Sequence, residues 1–150
     1  MDFIEVRTES FAVAEEFAAL RAHNRSDGAC AMFVGSVRDF NAGAGVSGLA
    51  LEHYPGMTQK NLQRIVADAR SRWELGRVRL LHRVGPMAVE EDIVFVGVTS
   101  SHRQSAFAAC HYIMDRLKTE APFWKLESGD AGDTWVAARD SDRQALEKWQ

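Results

Sequence analysis

Seven segments of the chain have the hydrophobic pattern of β-strands. The run DIVFVGV, residues 92–98, is apolar and rich in β-branched residues, which is typical of a strand buried on both faces. Residues 76–85 and 90–100 predict two strands that the short PMAVE segment joins in a hairpin-like arrangement. Such an antiparallel pair indicates a sheet that is not purely parallel. The other predicted strands are 2–6, 30–39, 46–54 (ending in a Pro55-Gly56 turn), 123–128 and 134–139.

Apolar residues at helical spacing predict four helices between these strands. Each has a hydroxyl residue at its predicted start, and Gln104 and Gln144 complete Ser-x-x-Gln capping boxes for the third and fourth. The predicted buried faces include Phe17 in the first helix and Trp73 in the second. Ser10, Ser101 and Ser141 are the predicted caps of the first, third and fourth helices, and Thr58 is predicted to open the second. The first, second and fourth helices are predicted to end near Asn24, Gly76 and Trp149, and the third to run from about His102 to about Thr119.

Length and composition indicate one domain that comprises residues 1–150. A chain of 150 residues can bury one real core but not two, and its 46% hydrophobic and 26% charged residues are an ordinary globular balance. Strands and helices alternate only partly, so we predict an α+β fold with a mixed sheet rather than a doubly wound parallel one. The segment NAGAG, residues 41–45, has too many glycines for a helix or strand and is predicted to be a loop that could close over a ligand.

The charge balance and the apolar runs exclude several classes of partner. The formal net charge is −3, so a duplex nucleic acid is not an expected partner, although a local basic pocket is compatible with it. The chain has neither an apolar run that could span a bilayer nor a signal-peptide pattern at its start. Its two cysteines, Cys30 and Cys110, have no metal-type spacing and suit a reducing compartment. We therefore expect a cytoplasmic protein that does not associate with membranes.

The stretch TSSHRQSAF, residues 99–107, places two cationic side chains at a helix start. His102 and Arg103 fall in the first helical turn, where free backbone N–H groups and the positive end of the helix dipole meet. This arrangement predicts an anion site. The alternative is that both side chains are simply solvated, and the stretch alone does not favour either interpretation.

Three further cations are candidates for the same site. Lys118 lies on the helix that begins at this turn, although a lysine near a helix C-terminus is also favourable to the dipole alone. Lys125 follows bulky apolar residues that can desolvate an amine for proton transfer, and the alternative is an ordinary surface lysine. Arg38 ends a strand beside the glycine-rich loop. With His102 and Arg103 these groups predict a cationic pocket for a small phosphorylated or otherwise anionic substrate.

Other polar residues fit structural roles better. His53 and His82 lie on predicted strands, and His82 shares a face with apolar neighbours, so we expect a hydrogen-bonded core or interface histidine. Cys110 lies among alanines and aromatic residues and is expected to be buried rather than nucleophilic. Cys110 and His111 diverge by about 100° around the helix and cannot chelate one metal together. We expect neither a metal site nor a bound cofactor, and no segment completes a phosphate-binding P-loop.

Six blocks between about residue 30 and residue 137 resemble those of the large, catalytic subunits of molybdopterin synthase. The blocks are FVGSVRD, LEHYPGMT, GRVRLLHRVG, VFVGVTSSHRQSAF, YIMDRLKTEAPFWK and DTWV. They keep the order and spacing of that family. The resemblance implies an α/β-hammerhead fold and a homodimer with one small ubiquitin-like sulfur-carrier subunit docked at each end of a heterotetramer. It also implies transfer of two sulfurs to cyclic pyranopterin monophosphate, one from each of two thiocarboxylated Gly-Gly tails of that subunit, which yields the dithiolene of molybdopterin.

The resemblance also assigns roles to the candidate cations. Lys118 and Lys125 match the two essential lysines of the family, and Arg38, His102 and Arg103 match its residues around the pterin phosphate. On this basis we expect the helix that begins at His102 to hold the phosphate at its start and to deliver Lys118 at its end.

Four further positions match the family's substrate-contacting stretches. These are the backbone at Ser36 and Val37, and Leu126 and Glu127 directly after the second lysine. Leu126 stands where the family often has a basic residue, so any contact there is expected to be apolar or through the backbone. Ser36 keeps the hydroxyl of the more common threonine. Whether Arg139 completes the pocket across the dimer is left open by the sequence.

Two alternative functions remain at this point. The chain could be a dimeric scaffold that docks a ubiquitin-like tail, with the lysines pairing to its carboxylate and without chemistry of its own. It could also be an unrelated phosphate-handling enzyme in which His102 is the nucleophile or general acid. The first predicts lost binding but no lost chemistry in a Lys118→Ala variant, and the second requires turnover without a protein partner.

Overall fold

The computed structural model describes residues 1–38, 40–41, 44–121, 123–129, 134–136 and 140–150, with side chains for residues 1–38, 48–121, 123 and 143–150. Groups of one to three strands alternate with single helices along this length. In chain order they are β1 (Asp2–Arg7), α1 (Val13–Arg21), β2 (Ala29–Ser36), β3 (Phe40–Asn41), β4 (Ala44–His53), α2 (Pro55–Arg72), β5 (Val78–Arg83), β6 (Gly85–Ala88), β7 (Asp92–Ser100), α3 (Arg103–Glu120), β8 (Phe123–Gly129), β9 (Thr134–Val136) and α4 (Asp140–Glu147).

The first sheet has four strands in the order β1-β5-β7-β2. β1 and β5 are parallel, whereas β7 is antiparallel to both β5 and β2. All residues of β7 from Val94 to Ser100 are buried, so the prediction of a strand covered on both faces is confirmed. The mixed α+β class predicted from the sequence is confirmed as well.

Helices cover both faces of this sheet and account for the burial of β7. Val94, Val96 and Val98 face a large core formed with α2 and α3, in which Ile65 and Ile113 are fully buried. On the opposite face α1 packs so closely that a Cβ at position 97 would lie 2.7 Å from Leu20 Cδ2, so any larger residue than Gly97 would displace this buried leucine.

The second sheet has the order β3-β4-β8-β9, and β6 also pairs with β4. All of its strand pairs are antiparallel. Among the side chains that the structure describes, the buried cluster of this sheet consists of Val37, Leu49, Leu51 and Met87. The predicted hairpin is confirmed in that β5 and β7 pair antiparallel, but the connection between them contains β6, which leaves the first sheet to join the second.

Each predicted serine cap is wrong, and Thr58 lies inside α2 rather than at its start. α1 begins after Ala12, α2 begins at Pro55 and α3 begins after His102, and no side chain at the three N-caps bonds a free N–H group. Ser141 lies inside α4 rather than before it. Serine and threonine are frequent at helix starts, but this local preference is weaker than the tertiary packing that sets where each helix begins.

Several predicted boundaries and burials also differ. The NAGAG segment was predicted to be a loop, but β4 already begins at Ala44 because the backbone ladder to β3 offsets the cost of glycine; residues 42–43 lie outside the described residues. Pro55 is the first residue of α2 rather than part of a turn, a position where proline loses no helical hydrogen bond. α2 ends at Arg72, well before Gly76.

The predicted burial of Phe17 in α1 is wrong. Phe17 is 37% exposed, and Glu16 is buried in its place through its ion pair with Arg79.

Candidate functional site

Lys118 lies in the last turn of α3, and its side chain is exposed. The neighbouring Leu117 is buried in the core and anchors this turn. Arg116 braces it further, because its guanidinium donates to the Glu120 carboxylate at 2.6 and 2.7 Å and also to Asp68. The hydrogen bonds to Glu120 raise the pKa of Arg116 above its ordinary value. Among the described side chains no acidic group pairs with Lys118, so its amine is available to a ligand.

Residues 36–38 leave β2 at the same end of the first sheet. The Ser36 hydroxyl donates to Asp92 Oδ1 at 2.8 Å, and the Val37 N–H donates to the Glu91 carbonyl at 2.9 Å. A bond from the Ala88 N–H to the Glu91 carboxylate stabilises this turn and lowers the pKa of that carboxyl. The Val37 side chain is buried in the small cluster of the second sheet, and the next residue, Arg38, is exposed.

Residues 125–127 lie in the middle of β8, between β4 and β9. Lys125 is opposite Leu51 on one side and Val136 on the other, and Glu127 is opposite Leu49. Leu49 and Leu51 pack with Val37, so this stretch runs beside residues 36–38. Only residues 121–122 separate α3 from β8. The side chains of Lys125, Leu126 and Glu127 lie outside the described part of the structure, as does all of Arg139.

His102 and Arg103 occupy the other end of the molecule. His102 is the residue before α3, Arg103 is its first residue, and both side chains are exposed. At 1.5 Å per residue, Lys118 lies about 22 Å farther along the axis. β7 likewise separates Asp92 from Ser100 by about 27 Å, and residues 36–38 are at its Asp92 end.

The structure therefore brings together only some of the predicted groups within one chain. α3 runs back across the sheet, as shown by the Cys110 thiol, which donates to the Val96 carbonyl at 3.8 Å near the middle of both elements. Residues 36–38, Lys118 and the strand that carries Lys125 meet at one end, whereas His102 and Arg103 lie at the opposite end. The expectation that a single copy of α3 both holds the phosphate and delivers Lys118 to it is wrong, because a substrate of pterin size cannot bridge about 22 Å.

His82 and Cys110 have the structural roles that the sequence predicts. His82 is buried, its Nδ1 donates to the Arg83 carbonyl at 2.7 Å, and its ring stacks on Phe123 with centroids 4.0 Å apart. Burial raises the pKa of the Cys110 thiol to about 11, which makes it a poor nucleophile at neutral pH. The described residues contain no group of three His, Cys, Asp or Glu side chains that could hold a metal ion.

Sequence reasoning missed an exposed apolar edge of the first sheet. Within the described residues β2 pairs only with β7, and its other edge is open. Met32 and Phe33 on this strand are 44% and 41% exposed, and Phe107 on α3 is 67% exposed. The apolar run AMFV predicts a strand, and its local pattern contains no signal that these side chains are exposed. An open edge with large apolar side chains is typical of an interface.

Comparison with known proteins identifies the protein family of this chain. Residues 6–120 match the family model described as MoaE protein. A molybdopterin synthase catalytic subunit from Yersinia pestis is 55% identical over 146 residues, which cover 97% of this chain and 96% of that protein. The MoaE protein structure from Burkholderia ambifaria has a TM-score of 0.85 at 48% identity and covers 99% of this chain and 98% of its own. Molybdopterin synthase from Staphylococcus aureus has a TM-score of 0.80 at 29% identity and covers 89% and 96%. The chain belongs to the MoaE family, the family of the molybdopterin synthase catalytic subunits.

Proposed function

We propose that this protein is the catalytic subunit of a molybdopterin synthase. It transfers two sulfurs to cyclic pyranopterin monophosphate, one from the C-terminal thiocarboxylate of each of two successive small ubiquitin-like subunits, and so forms the molybdopterin dithiolene. The observation that carries this proposal is the exposed Lys118 amine, which no described acidic side chain neutralises and which lies where α3 leads into the strand of Lys125. The match of residues 6–120 to the MoaE family supports it.

The two lysines divide the chemistry. Lys118 stabilises the negative charge that develops on the attacked thiocarboxylate carbonyl or on the opening cyclic phosphate. Lys125 exchanges the proton as sulfur replaces oxygen on the pterin side chain. The reverse division is the alternative assignment. Ser36, Val37, Leu126 and Glu127 contact the substrate alongside these amines.

The site becomes complete when two copies of the chain associate. Antiparallel pairing of the open β2 edges would place residues 36–38 of one copy beside the Ala29 and Ser100 end of the other, directly before His102 and Arg103. Arg38 and Lys118 from one copy then share a pocket with the cationic turn of the second. The exposed Met32 and Phe33 on this strand support β2 as the contact.

The same proposal covers the assembly and its location. Residues 1–150 form one large-subunit domain, the dimer binds one ubiquitin-like subunit at each end, and the tail of that subunit enters the pocket that holds the pterin. The reaction takes place in the cytoplasm, which the two free cysteines support. No helix among the described residues is long and apolar enough to cross a membrane.

A dithiolene-formation assay with the thiocarboxylated partner tests the activity. Lys118→Ala and Lys125→Ala should each lower kcat at least about 100-fold while the complex still assembles, because an electrostatic or proton-transfer group is lost. Lys60→Ala is the matched control, since Lys60 is an exposed lysine of α2. A stable wild-type complex without product would indicate a docking scaffold. Hydrolysis of simple phosphate esters without the partner would instead indicate a phosphatase-like enzyme that uses His102.

Mixing Lys118→Ala and Arg103→Ala chains tests the site shared by two copies, at a pterin concentration low enough that neither variant alone is active. In a mixed dimer of Lys118→Ala and Arg103→Ala chains, one pocket has both lesions and the other has neither. Random re-association should therefore restore about a quarter of wild-type activity, since half the dimers are mixed and each has one intact site. If each pocket belonged to one chain, mixing would restore nothing.

A further inference from the structure

The last two residues of β7 lie directly before the turn of His102 and Arg103. Thr99 is completely buried and Ser100 is 3% exposed. Successive strand residues point to opposite faces of a sheet, so these two hydroxyls can anchor the end of the strand from both sides. Both hydroxyls have partners outside their own strand.

The Thr99 hydroxyl uses its full hydrogen-bonding capacity. It donates to Asp27 Oδ2 at 2.9 Å and accepts from the Arg77 N–H at 2.8 Å and from Asn24 Nδ2 at 3.2 Å. A threonine hydroxyl has one donor and two acceptor positions, so none is left unused. Asn24 also donates to Asp27 at 2.9 Å. This network, which we call the Thr99 network, joins the segment after α1, the segment before β5 and the end of β7.

Backbone contacts tighten the same junction. The Ser100 hydroxyl donates to the Glu74 carbonyl at 2.8 Å and accepts from the His102 N–H at 3.5 Å. The Gly76 N–H donates to the Thr99 carbonyl at 2.8 Å. A Cβ on Gly76 would lie 1.8 Å from Asp27 Oδ2 and 2.7 Å from Thr99 Oγ1, so the close approach of this linker requires glycine.

The side chains of His102 and Arg103, in contrast, have no hydrogen bond or ion pair within the described part of the chain, and both are exposed. Their position therefore depends on the direction in which the backbone leaves β7. We propose that Thr99 is a positioning residue for this cationic turn, which its network holds in the orientation that binds the substrate phosphate. Fully satisfied buried networks make a local structure rigid and specific. The proposal rests on the proposed function, in which the turn contacts that phosphate.

Kinetics of Thr99 variants in the complete synthase test this role. Thr99→Val keeps the shape but removes the hydroxyl, and should raise the KM for the pterin about tenfold with kcat within about twofold, because phosphate binding is weakened and the reacting groups are untouched. Thr99→Ser keeps the hydroxyl and should restore KM. Thr58→Val is the matched control, since Thr58 is also completely buried and donates to the Tyr54 carbonyl at 2.8 Å, but at the start of α2. It should destabilise the fold without changing KM.

Two further variants distinguish the possible failures. Ser100→Ala tests the second anchor if Thr99→Val does not fold, and should raise KM about threefold. If Arg103→Ala raises KM while Thr99→Val and Ser100→Ala leave it unchanged, the positioning role is overturned and the proposed function stands. If Arg103→Ala leaves KM unchanged, the turn does not bind the phosphate, and the positioning role fails with that assignment. An equal KM increase in Thr58→Val would reduce the Thr99 effect to general loss of stability.

Discussion

The two ends of α3 present similar cationic side chains but are held in different ways. At the start, uncharged hydroxyls of Thr99 and Ser100 bond backbone and neighbouring side chains. At the other end, Arg116 forms ion pairs with Asp68 and Glu120 beside Lys118. At both ends the exposed cationic side chain has no described hydrogen bond or ion pair of its own. Each of these candidate cations therefore follows residues that are themselves anchored, and it remains available to a ligand.

The core between the two ends should dominate stability. Ile113 is completely buried in the middle of α3, and Ile113→Ala should lower the free energy of unfolding by about 2–5 kcal/mol through lost burial and the cavity left behind. Denaturant titration measures this change. Gln104→Ala, at an exposed position of the same helix, should change it by less than about 0.5 kcal/mol. A similar loss in both variants would contradict the idea that the ends depend on a shared core.

The lysine end should be sensitive to salt. Arg116→Met removes the charged hydrogen bonds to Glu120 and Asp68 and should cost about 2 kcal/mol at low ionic strength, with a smaller difference from wild type in 1 M NaCl because salt screens the pairs. Unfolding at the two salt concentrations gives both values. Arg64→Met is the control, since Arg64 is 54% exposed and lies 3.8 Å from Glu120. A cost that salt leaves unchanged would mean that packing, not charge, holds this end.

The Thr99 end should respond less to salt. Thr99→Val should lower the free energy of unfolding by about 1–2 kcal/mol, because the part-buried Asp27 carboxylate and the Arg77 N–H each lose a partner. The same pair of salt concentrations should leave most of this difference in place, since the lost hydroxyl carries no charge. If salt reduced the loss of unfolding free energy equally in Thr99→Val and Arg116→Met, the contrast between the two ends would disappear.

The free energy of unfolding should fall at alkaline pH because of Cys110, which lies in the middle of α3. Burial raises the pKa of its thiol from the ordinary 9.0 to about 11, so between these values the folded state retains a proton that the unfolded state has lost. Stability is therefore unaffected below about pH 9 and falls as pH rises toward 11, by about 1.4 kcal/mol at pH 10. Unfolding of wild type and Cys110→Ala from pH 8 to 10.5 measures this, and the variant should lack that component. Parallel pH curves for the two proteins would contradict it.

Prediction from the sequence succeeded where a signal is local and failed where it depends on packing. The apolar run of β7 and the extent of α3 were confirmed, because each is encoded by a long periodic pattern. The predicted Ser101 cap was wrong, since Ser100 rather than Ser101 supplies the hydroxyl at this junction. Phe33 gave no local sign of exposure, because only the strand order shows that β2 is an edge.

The candidate site divides in the same way. Lys118, Arg38 and Arg103 could be chosen from the sequence, because residue type and nearness to element ends are visible there, and the family follows from blocks along the chain. The sequence could not predict which of these cations lie close together in the fold. A cationic helix start and a lysine fifteen residues later look like one face in sequence, yet at 1.5 Å per residue they lie about 22 Å apart.

The sequence by itself determined the mixed α+β class, the order of most elements, the family and the identity of the cations. Only the tertiary structure decided that Lys118, residues 36–38 and the strand of Lys125 share one end of the molecule and that the turn of His102 and Arg103 lies at the other. It also decided that β2 has no second partner strand within the described residues. The physical reason is that periodicity reports which side of an element is buried. Strand register and the direction of the following helix, which set distances between elements, arise from non-local pairing and packing.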